Sequence, residues 1–201
     1  MSEIYTFIDL ETTGLDYEKE QIIEIAAVKT DLEREYGRFQ TFVHLNAGRT
    51  LSEEITKLTG ITTDDLIGGI HPHDMSVALD FFAGTESTFV AHNAPFDLAF
   101  LAGLETEPRR FVCTRALAKL VEPTESPSLK DVCARHGIDL TGHHRAMNDV
   151  LATIEVFRKL APIAEARGIE YRNVVVDSPE RPLTFVPYNA KVVEVPPHRE
   201  G

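Results

Sequence analysis

The chain has 201 residues, 43% hydrophobic and 26% charged, which suits one soluble domain with an appendage and a core that needs neither disulfide nor structural metal. Its net charge of −12 excludes a passive nucleic-acid coat with basic faces. It does not exclude an enzyme that meets phosphates through bound cations. Residues 1–35 carry ten acidic against three basic side chains, whereas residues 105–145 are near balance, with seven basic against six acidic. No basic stretch followed by an apolar run opens the chain, and no apolar run could span a bilayer, so no membrane association is expected. Cys113 and Cys133 sit among apolar residues without ligand spacing, as free thiols of a reducing, cytoplasmic compartment do.

In chain order, Glu3 to Leu10 is rich in β-branched and aromatic residues and reads as a strand ended by the turn residues Thr12-Thr13-Gly14. Gln21 to Thr30 is an almost continuous apolar run, a strand buried on both faces, and Phe39 to Leu45 is a third strand. Short connections make these an antiparallel meander. Ser52 opens a short helix that stops near Thr59-Gly60, and Pro72 to Ala83 reads as a second helix. Ser87 to Ala91 is a short buried strand, after which Pro95 takes a first helical position. Phe111 to Thr114 is a strand before a helix. Ser128 and Asp131 have capping-box spacing, with Gly137 as the stop. The longest helix runs from about Arg145 to Ala166, with Val150, Ile154, Phe157 and Ala161 on one face. The resulting β-β-β-α-β-α-β-α-α order calls for an α/β domain over residues 1–167, a mixed five-stranded sheet flanked by helices. Residues 168–201 hold five of the eleven prolines and read as an extended or weakly stranded C-terminal appendage.

Three acidic motifs stand out. In Phe7-Ile8-Asp9-Leu10-Glu11-Thr12-Thr13-Gly14-Leu15, strand alternation points Asp9 and Glu11 the same way, extending the row of Tyr5 and Phe7. Two carboxylates side by side at a buried strand end repel each other and resist desolvation, and a divalent cation relieves both. In His92-Asn93-Ala94-Pro95-Phe96-Asp97, a strand runs out and Asp97 falls in the first turn of the next helix. In His143-His144-Arg145-Ala146-Met147-Asn148-Asp149, five residues of helix would turn His144 roughly 140° away from Asp149. The pair converges only if His144 lies in the loop and Asp149 in the helix. Each motif alone also admits a plain reading: hydrated strand-end acids, an acid favoured by a helix dipole, a surface histidine. Together they supply four carboxylates and one imidazole. Oxygen ligation suits Mg²⁺ or Mn²⁺, and four negative charges balance two divalent ions, as two-metal phosphoryl transfer needs.

These three segments, in this order, resemble the DnaQ-like DEDDh 3′→5′ exonucleases, especially the proofreading exonucleases of bacterial DNA polymerase III. Ile55-Thr56-Lys57-Leu58-Thr59-Gly60-Ile61 and the stretch from Leu129 to Gly137 fit as well, so the resemblance covers roughly residues 3–165. It implies a ribonuclease H-like fold and a site that removes 5′-mononucleotides. It implies that Asp9, Glu11 and Asp149 hold one metal, that Asp9 reaches a second, and that Asp97 acts at the second through water. His144 is then the general base, for which a pKa near working pH is apt. His143 competes for that role, but the family's spacing selects His144; the sister subclass places a tyrosine where this chain has Arg145.

The resemblance carries over a substrate set with less force. Thr12 meets the terminal 3′-OH, with Thr13 beside it. Gly14 permits close approach, and Leu15 wedges between the last bases. Gly60, Ile61 and Phe96 line the terminal-base pocket, and Asn93 ties its turn to backbone. Turn chemistry and core packing are the competing reading for all of these. The expected partners are DNA 3′ ends, single-stranded or frayed, and a separate polymerase or clamp. An RNA-directed relative, of the oligoribonuclease or RNase T kind, is the alternative. Thr12 favours DNA, since oligoribonucleases typically carry Met there. A catalytically inactive binding module fits less well, because all four acidic positions are intact.

Overall fold

The structure, a computed structural model, describes residues 3–195; Pro196 and Pro197 of the proline-rich stretch lie outside the described residues. Strands β1 (Tyr5–Thr12), β2 (Ile22–Thr30) and β3 (Glu35–Phe42) form the expected antiparallel meander. Strands β4 (Thr88–Ala91) and β5 (Phe111–Cys113) add in parallel on the other side of β1, giving the order β3-β2-β1-β4-β5. The helices are α1 (Glu53–Thr59), α2 (Thr63–Ile67), α3 (Pro72–Ala83), α4 (Ala94–Ala102), α5 (Thr114–Val121), α6 (Leu129–His136) and α7 (Ala146–Ala166). This is the mixed five-stranded α/β sheet flanked by helices that the element order calls for.

Strand alternation divides the core. Tyr5 and Phe7 of β1 and Ala26 and Val28 of β2 face α5, α6 and α7. Ile8, Leu10, Ile25 and Ala27 face the opposite way, toward α3 and α4. Phe157 of α7 sits at the centre of the first layer, with its ring centroid 5.1 Å from Tyr5, 5.7 Å from Phe7 and 6.1 Å from Tyr171. Asp9 and Glu11 continue the Tyr5–Phe7 row, so they emerge on the face that α7 covers.

The structure departs from the sequence expectations at several places. The third strand is Glu35–Phe42, not Phe39 to Leu45. It is the sheet edge, largely exposed, so the apolar pattern that marks a buried strand begins only as the strand ends. Helix α2 was not anticipated; five residues are too short for a helical period, although Thr62 and Asp65 form its capping box. At α6 only half of the expected box exists: the Asp131 N–H donates to Ser128 Oγ at 3.2 Å, while Asp131 Oδ2 accepts the hydroxyls of Ser126 and Ser128. Between β3 and β4 there are thus three helices where the sequence pattern marks two.

The stretch after Gly168 is pinned to the domain. Tyr171 and Val174 are buried, and Val175 lies in the core layer beside Phe111. Asn173 exchanges backbone and side-chain hydrogen bonds with Phe111 at 2.8 Å each. Strands β6 (Val174–Asp177) and β7 (Lys191–Glu194) pair in parallel as a small second sheet. No helix among the described residues is long and apolar enough to cross a membrane.

Candidate active site

The acidic residues converge where the sheet splits. β1 and β4 are paired only from Tyr5–Thr88 to Phe7–Val90. Beyond Ala91 the chain turns away through Asn93 into α4, leaving open the carboxyl ends of two parallel strands, where α/β sheets place their ligands. Asp9 and Glu11 stand on β1. Asp97 enters from the first turn of α4, accepting from its own N–H and that of Leu10. Asp149 enters from the first turn of α7. Carboxylate oxygens of Asp9, Glu11 and Asp149 lie within 4.8 Å of one another.

Burial and mutual repulsion disturb this cluster. Burial first, then the charges of Asp97, Asp149, Glu11 and Glu24, hold the Asp9 carboxyl well above the usual range. Burial, then Asp149 and Glu24, pushes Glu11 up to about 7. Burial likewise raises Asp97, with Glu11 adding to it. Oxygen ligands this close, buried and short of cations, are a chemically apt set for hard divalent ions.

The third motif adopts the geometry that its spacing requires. His144 lies in the loop before α7 and Asp149 lies within the helix. His144 has φ 68°, a left-handed conformation rare outside glycine, and its N–H donates to Asp149 Oδ2 at 3.2 Å. The imidazole of His143 reaches the same carboxylate: Nδ1 is 2.6 Å from Oδ1. The two rings stack at 3.8 Å. The Asp149 contact raises His143, whereas burial, then His143, lowers His144.

Sequence reading overlooked Glu24. It lies opposite Glu11 in the β1–β2 register and is 1% exposed. It accepts from Arg145 Nη2 at 3.1 Å, from the Ala146 N–H at 3.3 Å and from Gln40 Nε2 at 2.9 Å. Glu24 therefore ties the start of α7, with its histidine loop, to the sheet. The signal was a lone acid inside an otherwise apolar strand.

The substrate candidates divide into two groups. Leu15 (80% exposed), Asn93 and Phe96 line one cleft of about 800 Å³ beside the acids. Thr12 and Thr13 precede Leu15 in the chain and do not line the cleft. Thr12 Oγ1 donates to the Gly14 carbonyl at 2.6 Å, and Thr13 bonds both Glu20 and Gln21. A Cβ on Gly14 would come within 3.0 Å of the Glu20 side chain, which would have to shift to make room. Gly60 and Ile61 are not on that cleft. Gly60 caps α1 with φ 73°, and Ile61 is buried against Ile23, Leu45 and Leu66. Asn93 makes no capping hydrogen bond with its side chain; it supplies instead the left-handed turn, φ 89°, that α4 requires.

Comparison with known proteins agrees with this architecture. DNA polymerase III PolC-type of Bacillus cereus is 35% identical over 183 residues, covering 88% of this chain and 12% of the polymerase. Its counterpart in Bacillus subtilis is 34% identical over 206 residues, covering 96% of this chain and 14% of the polymerase. The chain thus spans about an eighth of the length of these relatives. Escherichia coli exonuclease I in complex with a dT13 oligonucleotide superposes with a TM-score of 0.69 at 16% identity, covering 82% of this chain and 43% of that one. Exonuclease X in complex with 5′-overhanging duplex DNA superposes with a TM-score of 0.62 at 23% identity, covering 83% and 95%. Both share the ribonuclease H-like fold. The RNase_T family, described as exonuclease, matches residues 6–157, and the chain belongs to that exonuclease family.

Proposed function

We propose that this chain is a divalent-metal-dependent 3′→5′ exonuclease that releases 5′-mononucleotides from DNA 3′ ends, acting as the proofreading activity for a polymerase. The observation that carries this reading is the convergence of Asp9, Glu11 and Asp149 within 4.8 Å, with the buried Asp97 raising Asp9 further. DNA is favoured because the PolC-type relatives are DNA polymerases and two of the similar folds, exonuclease I and exonuclease X, were solved with DNA.

Asp9, Glu11 and Asp149 would hold one Mg²⁺ or Mn²⁺, and Asp9 with Asp97 a second. Two such ions supply charge for the attacking and leaving oxygens of the phosphodiester. His144 takes the proton from the attacking water. Burial keeps its imidazole neutral, and therefore able to accept, at working pH. Thr12 and the backbone of the Gly14 loop orient the terminal 3′-OH. Leu15 wedges between the last bases, and Phe96, also at the cleft, lines the pocket for the terminal base.

The test is a digestion with Mg²⁺ or Mn²⁺ of 3′-labelled single-stranded DNA, duplex DNA with a 3′ mismatch, and matching RNA. Asp9→Ala and a chelator serve as controls. Mononucleotide release from DNA that both controls abolish is expected. No release from any substrate overturns the enzyme reading, and faster release from RNA overturns the assignment of DNA.

A further inference from the structure

The cleft beside the acids has a wall that the catalytic motifs do not supply. Its near side is Leu15, Phe96 and the start of α5; its far side is the turn after β6, residues 178–184. That turn is built. The Arg181 N–H donates to the Ser178 carbonyl at 3.0 Å, and the Leu183 N–H donates to Asp177 Oδ1 at 3.0 Å. β6 anchors it in the core, and Phe185 packs edge-on against Tyr17, 5.7 Å between centroids, in the loop that carries Leu15.

Two guanidinium groups look into this space, Arg115 from α5 and Arg181 from the turn. Neither guanidinium has a salt-bridge or hydrogen-bond partner among the described residues, in a chain where acids outnumber bases 32 to 20. Lys119 also lines the cleft, as do Glu125 and Glu180. The guanidinium groups are close enough that Arg181, after burial, lowers Arg115, and Arg181 also acts on the Asp97 carboxyl. Two like charges lining one cleft are relieved by an anion between them. Arginine forks match phosphate oxygens in particular. The cleft's volume is that of a site for a nucleotide-sized group rather than a lone ion.

We infer that Arg115 and Arg181 hold an internal phosphate of a single nucleic-acid strand whose 3′ end occupies the acidic site, so that the C-terminal segment is part of the substrate channel. Leu183, on the same turn as Arg181, gives the attached base an apolar floor. This inference rests on the exonuclease reading above. It goes further by giving residues beyond the family match a share in strand binding.

Fluorescence anisotropy tests it. A 5′-labelled dT12 is titrated against wild type, Arg181→Ala and Arg181→Lys with Ca²⁺ in place of Mg²⁺, over a range of salt, with unlabelled dTMP as competitor. Arg181 is exposed, and circular dichroism checks that each variant is folded. Arg181→Ala is expected to weaken dT12 on the order of tenfold and to flatten the salt slope by about 0.7. Arg181→Lys should keep the slope, and dTMP should lose much less than dT12. Unchanged dT12 affinity and slope in Arg181→Ala overturn the inference, as does an equal loss for dTMP, which would place the contact on the leaving nucleotide. Mononucleotide release by wild type in Mg²⁺ is scored in parallel. Release with no binding defect in Arg181→Ala overturns the cleft alone. A binding defect without release supports the cleft and overturns the nuclease reading.

Discussion

Replacing Glu11 by Gln should stabilise the metal-free protein at high pH while destroying its response to metal. The Glu11 carboxyl ionises near 4.5 in an unfolded chain and near 7 in the folded one. Across that window the folded state holds a proton that the unfolded state has lost, so stability falls as pH rises from 4.5 through 7. The gap corresponds to about 3 kcal/mol, fully lost above the folded value. Glu11 is only 8% exposed, so solvent screens little of this. Burial and the charges of Asp149 and Glu24 are the causes, and all of them act on the ionised form alone. Gln keeps the shape without the charge. For a chain of this size, about 3 kcal/mol is roughly 6–12 °C in Tm. Thermal melts in EDTA should therefore place Glu11→Gln above wild type by up to that amount at pH 8, with the two converging near pH 4.5. The comparison of variant with wild type removes other titrations, such as that of His92, which burial lowers to about 3. Mn²⁺ should raise the wild-type Tm at pH 8 and move the variant far less. If the variant melts with or below wild type at pH 8, or the difference is the same at both pH values, the account of the cluster is wrong.

His144→Ala should lower kcat by about 10²–10⁴, the usual share of a general base, whereas His143→Ala should cost less than about tenfold; the reverse order would make His143 the base. Because burial lowers His144, the acid limb of kcat against pH should lie below the ordinary 6.5, with activity lost as pH falls and His144 becomes protonated. Arg145→Ala leaves the buried Glu24 with only Gln40 and the Ala146 N–H; Arg145 is 44% exposed, so a modest loss of about 1–2 kcal/mol is expected in urea unfolding at pH 7. Phe157→Ala empties the centre of the α7 layer and should cost about 3–5 kcal/mol by the same measurement, with a value under 1 refuting that packing.

Much of the site was legible because its signals are local. A two-residue period puts Asp9 and Glu11 on one face whatever lies around them, and a five-residue gap forces His144 off the helix that bears Asp149. Helix ends written in caps, Ser52 to Gly60 and Ser128 to Gly137, fell where expected. Local pattern failed where burial is lopsided or an element is short. The exposed edge strand β3 lacks an inward apolar row, and α2 is one turn of helix. It also failed wherever a residue's meaning comes from a distant partner. Ile61, read for the terminal-base pocket with core packing as the alternative, is buried against Ile23, Leu45 and Leu66. Asn93, read as tying its turn to backbone, takes a left-handed conformation, φ 89°, and makes no side-chain cap to α4.

From the sequence alone came three acidic motifs and their order, because period, spacing and charge are properties of neighbours along the chain; their resemblance to an exonuclease family gave them a reading. Only the tertiary structure brought Glu24 beneath Glu11, set His143 on Asp149 and swung Arg181 across the cleft toward Arg115. Those relations join residues 6 to 66 positions apart. They exist only after β1, β2 and α7 have packed and the segment after Gly168 has been anchored through Tyr171, Val174 and Val175.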